Sequence, residues 1–135
     1  MSKYKRIVTE FRDEACLRQA LQAAGLPFEE GEALHLFGYL GDRRPETAQF
    51  VVRRQHIGSL SNDLGYRWNA EAGAFEAVVS SYDTRCKATT EIRRRIRQQY
   101  AVAKVTKEAR ARGLTVVQQR DDHGVVRLTL RGYAR

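Results

Sequence analysis

The feature that most constrains the fold is an uninterrupted helical run in the second half of the chain. The run starts near Lys87 or Ala88 and ends before Gly113, with no glycine or proline between them. Glycine and proline are the residues that most weaken a helix interior, so their absence favours one long helix. At about 1.5 Å per residue, an unbroken helix of this length spans roughly 40 Å.

The apolar residues of this run do not keep to one helical face. Ile92, Ile96 and Tyr100 recur every four residues and form one stripe. The apolar residues of the second half lie on a different side of the helix from this stripe: Ala101, Val102, Val105 and Ala109. We therefore expect either a bend near Tyr100 or a second half that packs against something other than the sheet. Val102, Val105 and Ala109 are the predicted partner-binding residues.

The positive charge of the chain is concentrated in the same region. Residues 85–120 hold eleven basic and two acidic side chains, an excess of +9, so the remainder sums to −1 of the total +8. Such a segment favours an anionic partner, and a solvated basic face is the alternative. The residues predicted to bind an anion or nucleic acid are Arg93, Arg97, Lys104 and Lys107.

The first half of the chain predicts a strand followed by a short helix. Tyr4 to Thr9 is typical of a strand, and Asp13 is a suitable N-cap for a helix. That helix has one apolar stripe: Leu17, Ala20, Leu21 and Ala24. The pair Gly25-Leu26 predicts a Schellman ending, and the pair Gly113-Leu114 repeats it after the long helix.

Three hairpins are expected from alternating apolar residues and turn signals. In the first, an acidic loop at 29–32 leads to a strand with Leu34, Leu36 and Leu40 on one face, and residues 41–45 form the turn before a strand at 49–53. In the second, the strands are 65–69 and 75–79. In the third, they are 114–119 and 125–131.

The resulting order is β-α-ββ-ββ-α-ββ, which predicts an α+β fold. We expect an antiparallel sheet of about six or seven strands with two helices packed on one face. At 135 residues and 42% hydrophobic content, the chain is expected to form a single domain over residues 1–135. No membrane span or signal peptide is expected, which favours a cytoplasmic location.

Polar residues give one candidate reactive site. Two loops flanking the second hairpin could bring together Asp63, Arg67, Asn69, Tyr82 and Asp83. Asx turns and helix capping explain the same residues without chemistry. His35, His56 and His123 lie in separate segments without metal-ligand spacing, so neither a metal nor a cofactor is expected and an enzyme is the less favoured class.

Several segments resemble the hypothetical chloroplast reading frame thirty-five (Ycf thirty-five) family. The similarity covers nearly the whole chain and is carried by 7–9, 17–25, 38–41, 63–69, 99–101, 113–119 and 124–131. The resemblance implies a cytosolic or stromal protein without assigned function, often encoded near AAA+ ATPases and ferredoxin-like proteins. A role as a protein-binding accessory to an AAA+ ATPase system is what it implies by association.

Three functional hypotheses follow from the sequence. The leading one is a non-enzymatic binding or adaptor domain that assembles with a protein partner or with itself, motivated by the change of apolar face near Tyr100. The second is sequence-independent nucleic-acid binding through the basic helix. The third is an enzyme with a polar site near Asp63, Tyr82 and Asp83.

Overall fold

A computed structural model describes residues 3–132 of the chain. Its elements are β1 (Tyr4–Val8), α1 (Glu14–Ala23), β2 (Glu29–Phe37), β3 (Arg43–Val52), β4 (Leu64–Asn69), β5 (Ala74–Ser80), α2 (Lys87–Ala111), β6 (Thr115–Arg120) and β7 (Val126–Arg131). The predicted α+β class and order of elements are confirmed. No helix among these residues is long and apolar enough to cross a membrane.

The seven strands are divided between two antiparallel sheets. Five form a sheet in the order β1-β5-β4-β3-β2, and the hairpin β6–β7 forms a separate two-stranded sheet. An isolated hairpin is marginally stable in water, so it needs packing from elsewhere. The hairpin contacts α2, and Gln98 of that helix donates a hydrogen bond to the carbonyl of Gly124 (3.1 Å).

Both helices pack on one face of the five-stranded sheet, as expected. The buried cluster on this face joins Leu17 and Leu21 of α1, Ile96 of α2, and Phe50 and Tyr66 of the sheet. The ends of α1 are those that the sequence predicts. Asp13 Oδ1 accepts a hydrogen bond from the amide of Cys16 (3.1 Å), and the amide of Leu26 bonds to the carbonyl of Leu21 (3.3 Å).

The opposite face of the sheet carries a smaller core. Leu36, Val51 and Val78 are buried there, and Tyr4 and Leu34 pack against them. Tyr4 belongs to one edge strand and Leu34 to the other, so both edge strands contribute to this core. The first residue of β1 is therefore anchored in this core.

The first hairpin differs from its predicted boundaries. The segment 29–32, expected as a loop, begins β2, and its Glu29 and Glu30 are paired with Arg53 and Arg18. These ion pairs explain how two acidic residues open a strand. Leu40, expected on the strand face, is 70% exposed, because the strand ends at Phe37 before a turn.

The turn predicted at 41–45 lies at residues 38–42, and β3 starts at Arg43. Gly41 adopts a positive φ of 80°, which glycine reaches at little cost. Pro45 therefore lies inside β3. It is tolerated because β4 pairs only with Phe50, Val51 and Val52, so Pro45 lies in a part of β3 that has no neighbouring strand on that side.

The long helix is continuous from Lys87 to Ala111, and its change of apolar face has an intramolecular cause. Ile92, Ile96, Tyr100 and Ala103 pack into the main core, whereas Val102 and Thr106 lie beside Val116 of the β6–β7 hairpin. Of the two expectations, the second is therefore confirmed: the C-terminal half packs against something other than the main sheet.

Candidate binding cleft between strand β1 and helix α2

A cleft of about 220 Å³ lies between edge strand β1 and helix α2. Its lining is Ile7, Val8, Thr9, Glu10, Phe11, Tyr66, Ala77, Arg93 and Arg97. The strand and the segment after it supply one wall, the arginines supply the other, and Tyr66 and Ala77 come from the sheet. The cleft therefore combines apolar side chains with two cations and one carboxylate, that of Glu10.

Helix α2 follows β1 along this cleft. At one end, Ser80 pairs with Tyr4 in the β1–β5 ladder and donates a hydrogen bond from Oγ to Asp83 Oδ2 (2.8 Å), just before α2. At the other end, Tyr100 Oη accepts a hydrogen bond from the amide of Arg12 (3.0 Å). Strand and helix therefore run in the same direction.

Arg93 and Arg97 lie one helical turn apart on the flank of α2 that lines the cleft. Neither forms an ion pair with an acidic side chain within residues 3–132. Their neighbours on the helix are occupied: Arg94 pairs with Glu91, and Arg95 donates a hydrogen bond to the carbonyl of Ala24 at the end of α1. Arg93 and Arg97 are thus the cations of this segment left open to the cleft.

The pKa of the buried Tyr66 side chain depends on the charges of the cleft. Burial raises the pKa of Tyr66 to about 12, and the positive charges of Arg93 and Arg97 act in the opposite direction. The two guanidinium groups are therefore close enough to stabilise a negative charge on the phenol oxygen. The same field would stabilise an anionic group of a ligand in the cleft.

The backbone of β1 is open on its outer side. The amide of Ser81 bonds to the carbonyl of Lys3 (2.7 Å), and the amide of Thr9 bonds to the carbonyl of Phe75 (3.0 Å), so odd-numbered residues face β5. Hydrogen bonds of antiparallel strands alternate in direction, so the amides and carbonyls of Arg6 and Val8 point away from the sheet. This edge can accept another strand.

The four predicted anion-binding residues share one flank of α2 but differ in their partners. Lys104 pairs with Glu108 (3.7 Å), and Lys107 is hydrogen-bonded to Asp13. The Lys107 ammonium, assisted by the amide of Cys16, lowers the pKa of Asp13 to about 2. Two of the four cations therefore have acidic partners within the chain, and the remaining two line the cleft.

The three predicted partner-binding residues of α2 differ in their surroundings. Val102 lines a cavity of about 250 Å³ with Val116 of β6, and Val105 lines a different cavity with Ala101. Ala109 is only 3% exposed. These residues do not form one exposed surface, because the hairpin of the same chain covers part of that helical face.

The predicted polar site divides into a buried network and surface residues. Asp63 is 1% exposed and accepts hydrogen bonds from the amides of Phe37 and Arg54 and from Arg53 Nη1, each 2.8 Å long. These donors tie the start of β4 to the loops on either side. Both oxygens of this carboxylate are therefore used in holding the fold.

Asp83 has an equivalent role at the start of α2. Its Oδ2 atom accepts hydrogen bonds from the amide of Asn62 (2.9 Å) and from Ser80 Oγ (2.8 Å). Thr89 donates to Oδ1 at 3.4 Å. Asn62, next to Asp63 in the chain, connects the two carboxylates into one structural network.

The other three polar residues do not converge on this network. Asn69 lies at the far end of β4, where its Oδ1 accepts hydrogen bonds from the amides of Glu71 (3.0 Å) and Ala72 (3.1 Å). This is an Asx turn, the alternative weighed from sequence. Arg67 pairs with Glu76 in the β4–β5 register, and Tyr82 is 47% exposed.

Sequence comparison assigns the chain to a family. The family model described as Protein of unknown function (DUF1257) matches residues 20–129 of the chain. The chain belongs to the DUF1257 family. Searches of curated proteins and of solved structures gave no significant match.

Only part of the cleft lies within the range matched by the DUF1257 family. That range includes Tyr66, Arg93 and Arg97 but begins after β1, so the strand that forms the outer wall lies outside the matched range. The sequence pattern indicates Tyr66 as a core residue, and it does not assign β1 to a site. The signal available was the pair Lys5-Arg6 next to Ile7-Val8, a pattern typical of a charged edge strand.

Proposed function

We propose that this DUF1257 chain is a non-enzymatic binding domain whose cleft docks an extended, acidic segment of a protein partner. The observation that carries the proposal is the position of Arg93 and Arg97, which have no acidic partner in residues 3–132 and face the open edge strand β1. Backbone groups of an edge strand give affinity for an extended chain, and side-chain pockets beside it give selectivity.

Charge complementarity determines the chemistry of the segment. Lys5 of β1 lies on the helix side of the sheet and adds to the positive charge of Arg93 and Arg97. Glu10 is the one carboxylate in the cleft lining, so the balance of charge favours an acidic segment. Opposite charges increase the association rate and disfavour partners of the wrong sign. The apolar side chains Ile7 and Val8, 36% and 56% exposed, provide contact area between the charged groups.

The same charges disfavour a second copy of this chain as the occupant. Antiparallel pairing of two β1 edges would bring Lys5 and Arg6 of one copy against those of the other. Like charges placed opposite each other destabilise a sheet. We therefore propose a different protein as the partner, and the AAA+ ATPases implied by the resemblance are a class to test.

Nucleic acid is the less favoured ligand. A phosphate backbone needs a series of cations along its length, and Lys104 and Lys107 are paired with Glu108 and Asp13. A second consideration is the apolar lining of the cleft, which suits side chains of a peptide better than a charged backbone. An enzyme is also disfavoured, since the buried carboxylates of Asp63 and Asp83 are used by structural donors.

The test is site-specific photo-crosslinking in the native host. A photoreactive phenylalanine replaces Val8, and a control protein carries it at Glu71, exposed in the β4–β5 turn. We expect a covalent adduct with another protein at position 8 alone, attached through an acidic segment. Adducts equal to the control, adducts between two copies of this chain, or adducts with nucleic acid would each overturn the proposal.

A further inference from the structure

We infer that the docked segment carries acidic residues at alternate positions, so that one carboxylate meets Arg93 and the next meets Arg97. The inference rests on the proposed function and specifies the sequence pattern that the cleft selects. It follows from the relative spacing of a helix and a strand that run side by side.

The spacing of the two arginines matches the repeat of a β-strand. Four residues of α-helix rise about 6 Å, which is the axial separation of Arg93 and Arg97. Two residues of strand rise about 6.6 Å, and side chains two apart lie on the same face. Because α2 follows β1, a strand added to β1 would present its alternate side chains in step with Arg93 and Arg97.

The register of β1 identifies which face of the added strand meets the arginines. Ile7 pairs with Ala77, which belongs to the core on the helix side of the sheet. One face of the added strand therefore points toward α2 and the other points away from it. Two acidic residues in adjacent positions would place only one carboxylate in the cleft, and the second would face away from Arg93 and Arg97.

The charges at the two ends of the cleft limit the acidic pattern. Glu10 lines the cleft after the end of β1 and would repel a further carboxylate there. Lys5 lies toward the other end and, because it pairs with Val79 of the helix-side core, its side chain is on the same face as Ile7. The cleft thus favours two alternating acids over a long acidic run.

The experiment compares two dye-labelled peptides of identical composition by fluorescence anisotropy with the full chain. The alternating peptide is Thr-Val-Glu-Val-Glu-Val-Thr, and the adjacent peptide is Thr-Val-Glu-Glu-Val-Val-Thr. We expect the alternating peptide to bind roughly tenfold more tightly at low salt, because it makes both ion pairs. In Arg97→Gln this preference should fall to about twofold, and in the control Lys104→Gln it should remain roughly tenfold.

The outcomes separate the inference from the proposed function. Equal affinity for the two peptides would overturn the alternating pattern and leave the acidic docking segment supported. A preference that persists unchanged in Arg97→Gln would overturn the assignment to this cleft. Failure of both peptides to bind, with no adduct at position 8 in the crosslinking experiment, would overturn both.

Discussion

Tyr100 accepts a hydrogen bond on its hydroxyl from the amide of Asp13, at a distance of 3.0 Å. The same hydroxyl accepts a hydrogen bond from the amide of Arg12. The centroids of the Tyr100 and Phe11 rings lie 4.5 Å apart. One side chain of α2 therefore fixes the segment that connects β1 to α1. Because this segment closes one end of the cleft, Tyr100 holds the two walls in register.

The first prediction concerns this contact. Tyr100→Phe keeps the ring packing and removes the acceptor, so the amides of Arg12 and Asp13 lose their partner. We expect the free energy of unfolding to fall by about 1–3 kcal/mol, measured by urea denaturation. Tyr39→Phe, at a position 42% exposed, is the control and should change it by less than about 0.5 kcal/mol. Equal stability of the two variants would show that Tyr100 does not hold this segment.

The second prediction tests the structural role of the buried carboxylate. Asp63→Asn preserves shape but places an amide donor against the donors of Phe37, Arg53 and Arg54. We expect a loss of about 2–4 kcal/mol in the free energy of unfolding, because buried donors that bond to the carboxylate lose their acceptor. Asp122→Asn, exposed in the β6–β7 turn, should be neutral. A stable Asp63→Asn protein would reopen the reading of this site as functional.

The third prediction uses the titration of Tyr66. The difference in phenolate absorbance between the unaltered protein and Tyr66→Phe should show a pKa near 12, raised by burial. The folded state holds this proton more tightly than the unfolded state does. The protonated phenol therefore adds to the free energy of unfolding in full below about pH 10, and this contribution is lost as the pH rises through about 12. Replacing Arg93 and Arg97 with glutamine should raise the pKa further. An unchanged pKa in that variant would place the guanidinium groups away from the phenol.

The fourth prediction concerns charge reversal in the cleft. Arg93→Glu with Arg97→Glu should reduce binding of the alternating acidic peptide by at least roughly a hundredfold, about tenfold for each ion pair lost. Arg127→Glu with Arg131→Glu makes the same charge change at exposed positions of β7. That matched variant should keep most of the affinity. If both variants lose affinity equally, binding depends on the net charge of the chain and not on the cleft.

Local patterns in the sequence predict the elements well. The limits of α2 follow from the absence of glycine and proline up to Gly113, whose φ of 73° closes the helix. Asp13 is recognisable as an N-cap because its partner, Cys16, is three residues away. Each of these features depends on interactions within one or two helical turns, which adjacent residues determine.

Relationships between distant segments are what the sequence leaves open. Asp13 also binds Lys107, 94 residues away, and this contact gives one of the four predicted anion-binding residues an acidic partner. The edge position of β1 depends on its pairing with β5, and the packing of Val102 beside Val116 depends on the hairpin docking on α2. Alternating residues show that a strand exists but not which strand lies beside it.

Amide hydrogen exchange followed by NMR shows whether an acidic segment adds as a strand to the open edge of β1. On saturation with the alternating peptide, exchange of the outward amides of Arg6 and Val8 should slow at least roughly tenfold, because they gain hydrogen-bond partners. The amides of Lys5 and Ile7 already face β5 and should change little. Binding without added protection at Arg6 and Val8 would contradict the account.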